Sequence, residues 1–374
     1  MQEKEFLACQ NKNHQKHVKI EWLDYSSPFS TRVIETTEGI TTSGTIDIKN
    51  DGSYRRSCKL TMVLTDRTKV RPTSLLWVNR RFRLWIGIDY LGEVIWFNFG
   101  IYYLRNPEVM VKPSEQTVSI EGVDMMWVFE HNQNQYKTVI EADGYVNEAI
   151  KSIFNEQGFY DLILEPNNYK VPYKIEKSLT YNYWATLTEL RDLYSTYELF
   201  VNVAGQVVYR RIKQFKSDSI VFDFSKHMDL VIGDSGYKHP YSTDNIYNSI
   251  RVEGKLHNDK SQYSKLVELH DAKNPYSIEK IGKNELGISN DKLYTQEQVN
   301  DEADYQLLAH TNFNEKLDFS CLPQYYFDVN QKIRFKDEND NLADWLIDSI
   351  SMDLRFDGVM NITAHKIYAE LLTT

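Results

Sequence analysis

"VNQKIRF", Val329 to Phe335, stands late in this 374-residue chain, and a close echo of it, "VNRRFRL", occupies Val78 to Leu84. In both copies apolar and basic residues alternate, as they do on a half-buried strand. The neighbours repeat in the same order. "KLTMVL" (Lys59 to Leu64) precedes the first copy as "KLDFSCL" (Lys316 to Leu322) precedes the second. After each comes a strand carrying a Trp, Trp96 or Trp345, followed five residues later by Ile101 or Ile350. Each unit closes on "VSIEG" (Val118 to Gly122) or "MNITA" (Met360 to Ala364), where Ile120 or Ile362 is followed two places on by a small residue. Four features in one order predict two copies of one small β-barrel. Two copies do not make a solenoid, so the use of the repeat lies elsewhere.

Length and composition agree with this. At 374 residues the chain exceeds the usual size of a single core, so two or three domains are expected. Its 25 Tyr, 17 Phe and 7 Trp favour strands over helical bundles. Cys9, Cys58 and Cys321 are few, odd in number and far apart, which predicts reduced, buried thiols rather than a disulfide framework or a zinc site. The opening "MQEKEFLACQNKNHQKHVKIEW" has no apolar run of signal-peptide length, and no 18 uncharged apolar residues occur together, so no membrane segment is expected. The chain is expected to stay in the cytosol unless it leaves in a larger object. A formal charge of −10 argues against wrapping nucleic acid tightly, although a like-charged wall suits DNA that slides past.

Along the chain, "CKLTMVLT" places Leu60, Met62 and Leu64 on one face, and "RFRLWIGI" does the same for Phe82, Leu84, Ile86 and Ile88. Asp51-Gly52 and Asp357-Gly358 predict tight hairpin turns. The period then changes. "DGYVNEAIKSIFNEQGF" sets Val146, Ala149, Ile150, Ile153 and Phe154 on one helical stripe, with Asp143 as N-cap and Gly158 at the stop. In "TYNYWATLTELRDLYSTY" a second helix carries Tyr183, Leu187, Leu190, Tyr194 and Tyr197, and leads into a hairpin turning at Ala204-Gly205. "YTQEQVNDEADYQLLAH" is a helix opened by a capping box of Thr295 and Gln298. The resulting division is 1–133, a first β-barrel; 134–240, a small α+β domain; and 241–374, a second β-barrel with a helix-bearing insertion at about 256–315. The fold class is mainly β with α+β insertions.

This order of elements, with "LFVNVAGQVVYRR", "DNIYNSIRVEGK", "YTQEQVNDEADYQLLAH" and the closing "WLIDSISMDLRFDGVMNITAHKI", resembles the baseplate hub or tail-tip hub proteins of tailed bacteriophages and contractile injection systems. The resemblance covers nearly the whole chain. It implies two tail-tube-like barrels per subunit and a homotrimer presenting six similar modules, an adaptor between a sixfold tube and a threefold spike or fibre. It also implies a place in the virion tail, with assembly in the bacterial host cytoplasm. The implied partners are the tail tube or distal tail protein, baseplate, spike or fibre proteins, a tape-measure protein, and DNA in transit without sequence-specific binding.

Signals for chemistry are sparse. "GDSG" at Gly233 to Gly236 and "TAH" at Thr363 to His365 share strings with chymotrypsin-like proteases, but Ser235 precedes His365, the reverse of that family's order. His14 and His17 have metal-ligand spacing without a third ligand, in what reads as a solvated tail. Arg80, Arg81 and Arg83 could meet phosphate, or form an outer strand face paired with the acidic surplus. The aromatics of "PQYYFDV" leave open a carbohydrate-binding adhesion module, and 53 acidic residues leave open a hydrolase with paired carboxylates. No catalytic, cofactor-binding or metal residue is assigned, no cofactor is expected, and the expected role is non-enzymatic.

Overall fold

The computed structural model describes residues 3–11, 15–26, 29–50, 52–78, 80–194, 196–212, 218–232, 237–240, 246–257, 261–312, 315–336, 341–355 and 357–367. The chain opens with α1 (Glu3–Gln10), which buries Ala8 and Cys9. The cover of α1 comes from far along the sequence: Gln10 Nε2 donates to Gln324 Oε1, the Cys9 carbonyl accepts from Gln324 Nε2, and the Phe6 ring lies 6.1 Å from that of Phe222. Of the His14–His17 segment expected as a solvated tail, His14 lies outside the described residues and His17 belongs to the strand Lys16–Leu23.

Seven strands follow: β1 (Lys16–Leu23), β2 (Val33–Glu38), β3 (Thr41–Lys49), β4 (Arg56–Val63), β5 (Arg81–Tyr90), β6 (Glu93–Lys112) and β7 (Glu115–Asp124). The alternation is realised as read: Phe82, Leu84, Ile86 and Ile88 are wholly buried. Each such side chain contributes about 1.5–3 kcal/mol relative to exposure. The hairpin between β3 and β4 turns through a longer loop than the two-residue turn expected, with the Lys49 N–H donating to the Arg55 carbonyl; Asp51 itself lies outside the described residues.

Next come α2 (Met126–His131), β8 (Thr138–Ile140), α3 (Val146–Glu156), β9 (Leu162–Leu164), β10 (Ile175–Lys177), α4 (Tyr183–Asp192), β11 (Tyr197–Val201) and β12 (Val207–Arg211). The stripe of α3 is buried at Val146, Ile150, Ile153 and Phe154. Its stop is a Schellman motif: Gly158 has φ +77°, its N–H donates to the Asn155 carbonyl, and the Phe159 N–H reaches the Phe154 carbonyl. The start differs from expectation. Tyr145, not Asp143, is the N-cap, because Asp143 adopts φ +66° and directs the chain into the helix from two residues upstream. α4 is capped by Asn182, which accepts from the Ala185 N–H, and it ends before Tyr194; Tyr197 already belongs to β11.

The rest of the chain comprises β13 (Ile220–Asp223), β14 (Tyr237–Lys238), β15 (Ser249–Leu256), β16 (Gln262–Glu268), α5 (Ile278–Ile281), β17 (Glu285–Ser289), α6 (Gln296–Asn312), β18 (Lys316–Cys321), β19 (Lys332–Lys336), β20 (Leu342–Asp353) and β21 (Met360–Lys366). Elements β15, β16 and β17 form a separate sheet, and α6 packs Val299, Ala303 and Leu307 on its Ile250, Val252 and Val267. The capping box at Thr295 is present in both directions. The turn between β20 and β21 again exceeds a two-residue hairpin, Asp357-Gly358 lying within a loop from 354 to 359.

The four-strand order β4-β7-β6-β5 of the first unit recurs as β18-β21-β20-β19 in the second, every pair antiparallel. The echoed phrase is in structural register. Arg81 faces Tyr103 and Tyr103 faces Val123, as Lys332 faces Leu346 and Leu346 faces His365. Just before each strand the Leu104 N–H donates to Arg80, and the Ile347 N–H donates to Gln331. Asn330 sits at φ +57°, a left-handed conformation that Asn tolerates; its counterpart Asn79 is outside the described residues.

Two of the sequence correspondences shift. Leu60 and Phe319 both face the Ile of the closing strand (Ile120, Ile362), so "KLTMVL" and "KLDFSCL" align two residues away from the sequence match. A slip of two preserves the inward face, which is why alternation does not reveal it. Trp345 faces Ile333 as Tyr102 faces Phe82, whereas Trp96 faces Gly87, so the two Trp–Ile pairs are not equivalent. The strand flanking the end of each four-strand set also differs: β1 runs antiparallel to β5, but β13 runs parallel to β19.

Candidate functional site

The two units meet in one continuous sheet of thirteen strands. Along one edge β20 carries β21. Along the other it pairs first with β19 (Leu342 to Leu346) and then with β3 of the first unit (Ser349 to Asp353). The apolar interior is continuous across the join, with Tyr325 stacked 5.3 Å from Phe97 and edge-on to Phe99.

Beside this join lies a buried charged cluster assembled from four distant segments. Arg55 immediately precedes β4 and Arg56 opens it; Arg55 pairs with Glu198 of β11, and Arg56 pairs with Asp328 ahead of β19 while donating to the Val201 carbonyl at 2.7 Å. Glu198 also accepts from Arg210 at 2.8 Å and from Asn330 Nδ2 at 2.6 Å. Asp124, at the end of β7, accepts from the backbone N–H groups of Arg55, Arg56 and Met126. Burial nevertheless pushes its carboxyl up to about 6, because three N–H donors only partly replace lost hydration. Such a cluster fixes one arrangement of the surrounding segments more than it adds net stability, since desolvation offsets much of the Coulomb attraction. A cleft of about 860 Å³ opens over it, lined in part by Lys49, Arg55, Glu198, Asn330, Asp348 and His365.

The residues singled out from sequence are dispersed. His365 Nδ1 lies 2.8 Å from Asp348, the extra residue of a bulge between β20 and β21, and Asp348 also accepts from Asn50. The pair ties strands together; Ser235 and the rest of "GDSG" fall outside the described residues. His17 bonds Asp89 at 3.0 Å on β1, His14 is outside the described residues, and no group of three or more potential metal ligands occurs among the described ones. Each of the three basic residues is engaged within the chain. Arg80 stacks on Tyr25 and donates to the Pro72 carbonyl, buried Arg81 donates to Asp24, and Arg83 pairs with Glu21 at 3.0 Å. Tyr325 and Phe327 are core residues, so the aromatic run offers no exposed platform for a sugar. Cys9, Cys58 and Cys321 are free and buried; burial pushes the Cys9 thiol up to about 12 and raises the other two as well.

Sequence reading missed the Arg55–Arg56–Asp124–Glu198–Asp328 cluster. Its one local signal is a pair of Arg at the start of an inward-facing strand, where a solvated residue is usual.

No protein-family model and no curated protein sequence matches this chain. Among solved structures, a tail protein from Neisseria meningitidis aligns over 94% of this chain and 96% of its own, with a TM-score of 0.65 at 11% identity. The prophage tail protein gp18 from Listeria monocytogenes aligns over 94% of both chains, with a TM-score of 0.58 at 10% identity. An E. coli component of the type VI secretion system, itself similar to the T4 bacteriophage tail proteins gp27 and gp5, covers 94% of this chain and 77% of its own, with a TM-score of 0.54 at 8% identity. At these identities the likeness is one of fold. The chain has the mainly β fold of phage tail and baseplate proteins.

Proposed function

We propose that this chain is a non-enzymatic structural hub of a phage tail tip or baseplate. Three copies present a pseudo-sixfold ring that closes the tail tube, joins it to spike or fibre components, and forms part of the channel for DNA. Each copy supplies two barrels, one within 1–133 and one built from 241–374 with β13 and β14 added to it, and the part of 134–240 ahead of β13 stands between them as the α+β unit that carries contacts to other baseplate components. The observation that supports this reading above others is the recurrence, in one chain, of four strands with the same order, direction and register. A sixfold neighbour sees six similar surfaces, and a threefold neighbour sees three. The proposed setting is the virion tail, with the tube or distal tail protein and a tape-measure protein as further neighbours. A net charge of −10 suits a wall past which DNA slides without being held. No helix among the described residues is long and apolar enough to cross a membrane.

Light scattering and native mass spectrometry, at high concentration and with tube protein present, test the reading. A trimer is the expected species; a chain that stays monomeric under both conditions is not a hub.

A further inference from the structure

The two units, superposed through their shared registers, differ in what covers one edge. In the second unit the edge of β20 from Ser349 to Asp353 is covered by β3, and just beyond it the Leu354 N–H donates to the Gly44 carbonyl at 2.9 Å. The closing strands identify the same edge in the first unit. Ser349 faces Thr363 as Arg105 faces Glu121, Ser351 faces Asn361 as Glu108 faces Ser119, and Met352 faces Met360 as Val109 faces Val118. The counterpart is thus Arg105 to Met110 of β6, continuing to Val111. There β5 pairs only as far as Tyr103, and no strand among the described residues covers the edge beyond it. Val109, Met110 and Val111 are 43%, 45% and 65% exposed. Three consecutive apolar residues on an uncovered edge strand are a template for strand addition.

The strand in β3's place in the second unit is β14. Tyr237 and Lys238 face Phe319 and Asp318 of β18 as Gly44 and Thr45 face Leu60 and Lys59 of β4. β14 is also the end of the sheet order. Pro240 then corresponds to Asp47. In β3 the Lys49 N–H points towards the β4 side, donating to Arg55, and alternation gives Asp47 the same direction. The N–H that Pro240 lacks is therefore one that faces inward.

We propose that the β6 edge from Arg105 to Val111 of one molecule receives β14 of a second copy of this chain, in the register that β3 takes on β20. Lys238 then lies opposite Met110, His239 lies opposite Val109, and the Val111 N–H meets the Tyr237 carbonyl. The first-to-second-unit contact made inside each chain is repeated between chains. Such a contact is head-to-tail, and it closes a ring when the rotation permits. The inference rests on the hub reading and specifies its interface.

The test is a disulfide across the proposed register. Met110 and Lys238 are both exposed. They would form a non-hydrogen-bonded antiparallel pair, whose Cβ separation of roughly 4.5 Å lies at the upper end of what a disulfide spans. The full-length M110C/K238C variant is oxidised mildly and run on a non-reducing gel beside each single variant, with light scattering of the unmodified chain in parallel. The native thiols are buried and give a low background. Covalent dimers and trimers in the double variant, absent from both single variants, support the proposal. An assembled chain in which the double variant gives no more cross-linking than the singles overturns this interface and leaves the hub reading standing. A chain that is monomeric throughout and does not cross-link overturns both.

Discussion

Asp124 shows how much one side chain carries at the join. Its carboxyl is raised from an ordinary 3.8 to about 6 by burial, so the folded chain holds the proton more tightly than the unfolded chain does. The corresponding stability is fully present below pH 3.8 and is lost as pH rises through 6. Between those limits the wild type is expected to lose stability with rising pH relative to D124N, which lacks the titration; paired denaturant melts from pH 4 to 7 measure the difference. D124N is also expected to be less stable at pH 5 by about 1–3 kcal/mol, because an amide N–H₂ replaces one acceptor facing backbone N–H groups. E198A removes the hydrogen-bonded carboxylate from buried Arg55, leaving only Asp328 at 3.9 Å, and is expected to cost about 3–5 kcal/mol, read as a lowered denaturation midpoint at unchanged m-value. These residues were not legible as a set. Arg55, Asp124, Glu198 and Asp328 have no shared period or spacing, and only the fold brings them together.

Single elements were far more legible, because periodicity and end signals are local. The stripe of α3, the glycine stop at Gly158, the Thr295–Gln298 box of α6 and the inward face of β5 all follow from rules that span a few residues. Misreadings arose where two local solutions compete, as at Asp143, which turns the chain rather than capping the helix. The duplication makes a comparison between elements possible. Gly122 and Ala364 occupy corresponding places, facing Cys58 and Leu317. A Cβ on Gly122 would come within 2.7 Å of the Cys58 sulfur and 2.8 Å of Phe82. G122A is therefore expected to destabilise by about 1–3 kcal/mol through overpacking. A364G removes a methyl and loosens a strand, at a cost of about 1 kcal/mol. Equal effects of the two substitutions in thermal melts would contradict the packing difference between the units.

At the scale of the molecule, the covered edge of β20 and the open edge of β6 set up a contact that one chain satisfies only once. Val109 tests this without disturbing the fold: by its equivalence to Met352 its N–H points away from β7, so V109P blocks the edge and leaves the internal ladder intact. The expected outcome is a monomer by light scattering with a melting temperature within a few degrees of wild type. A V109P chain that assembles normally speaks against the edge. The sequence by itself determined the two strand sets, their inward faces and the helices between them, since side-chain alternation and helical period are written in neighbouring residues. Only the tertiary structure decided the register within the repeat, the charged cluster, and which edge is covered. A two-residue slip keeps every face, and the partners of a buried charge or a strand edge are chosen by packing between segments that sequence spacing does not link.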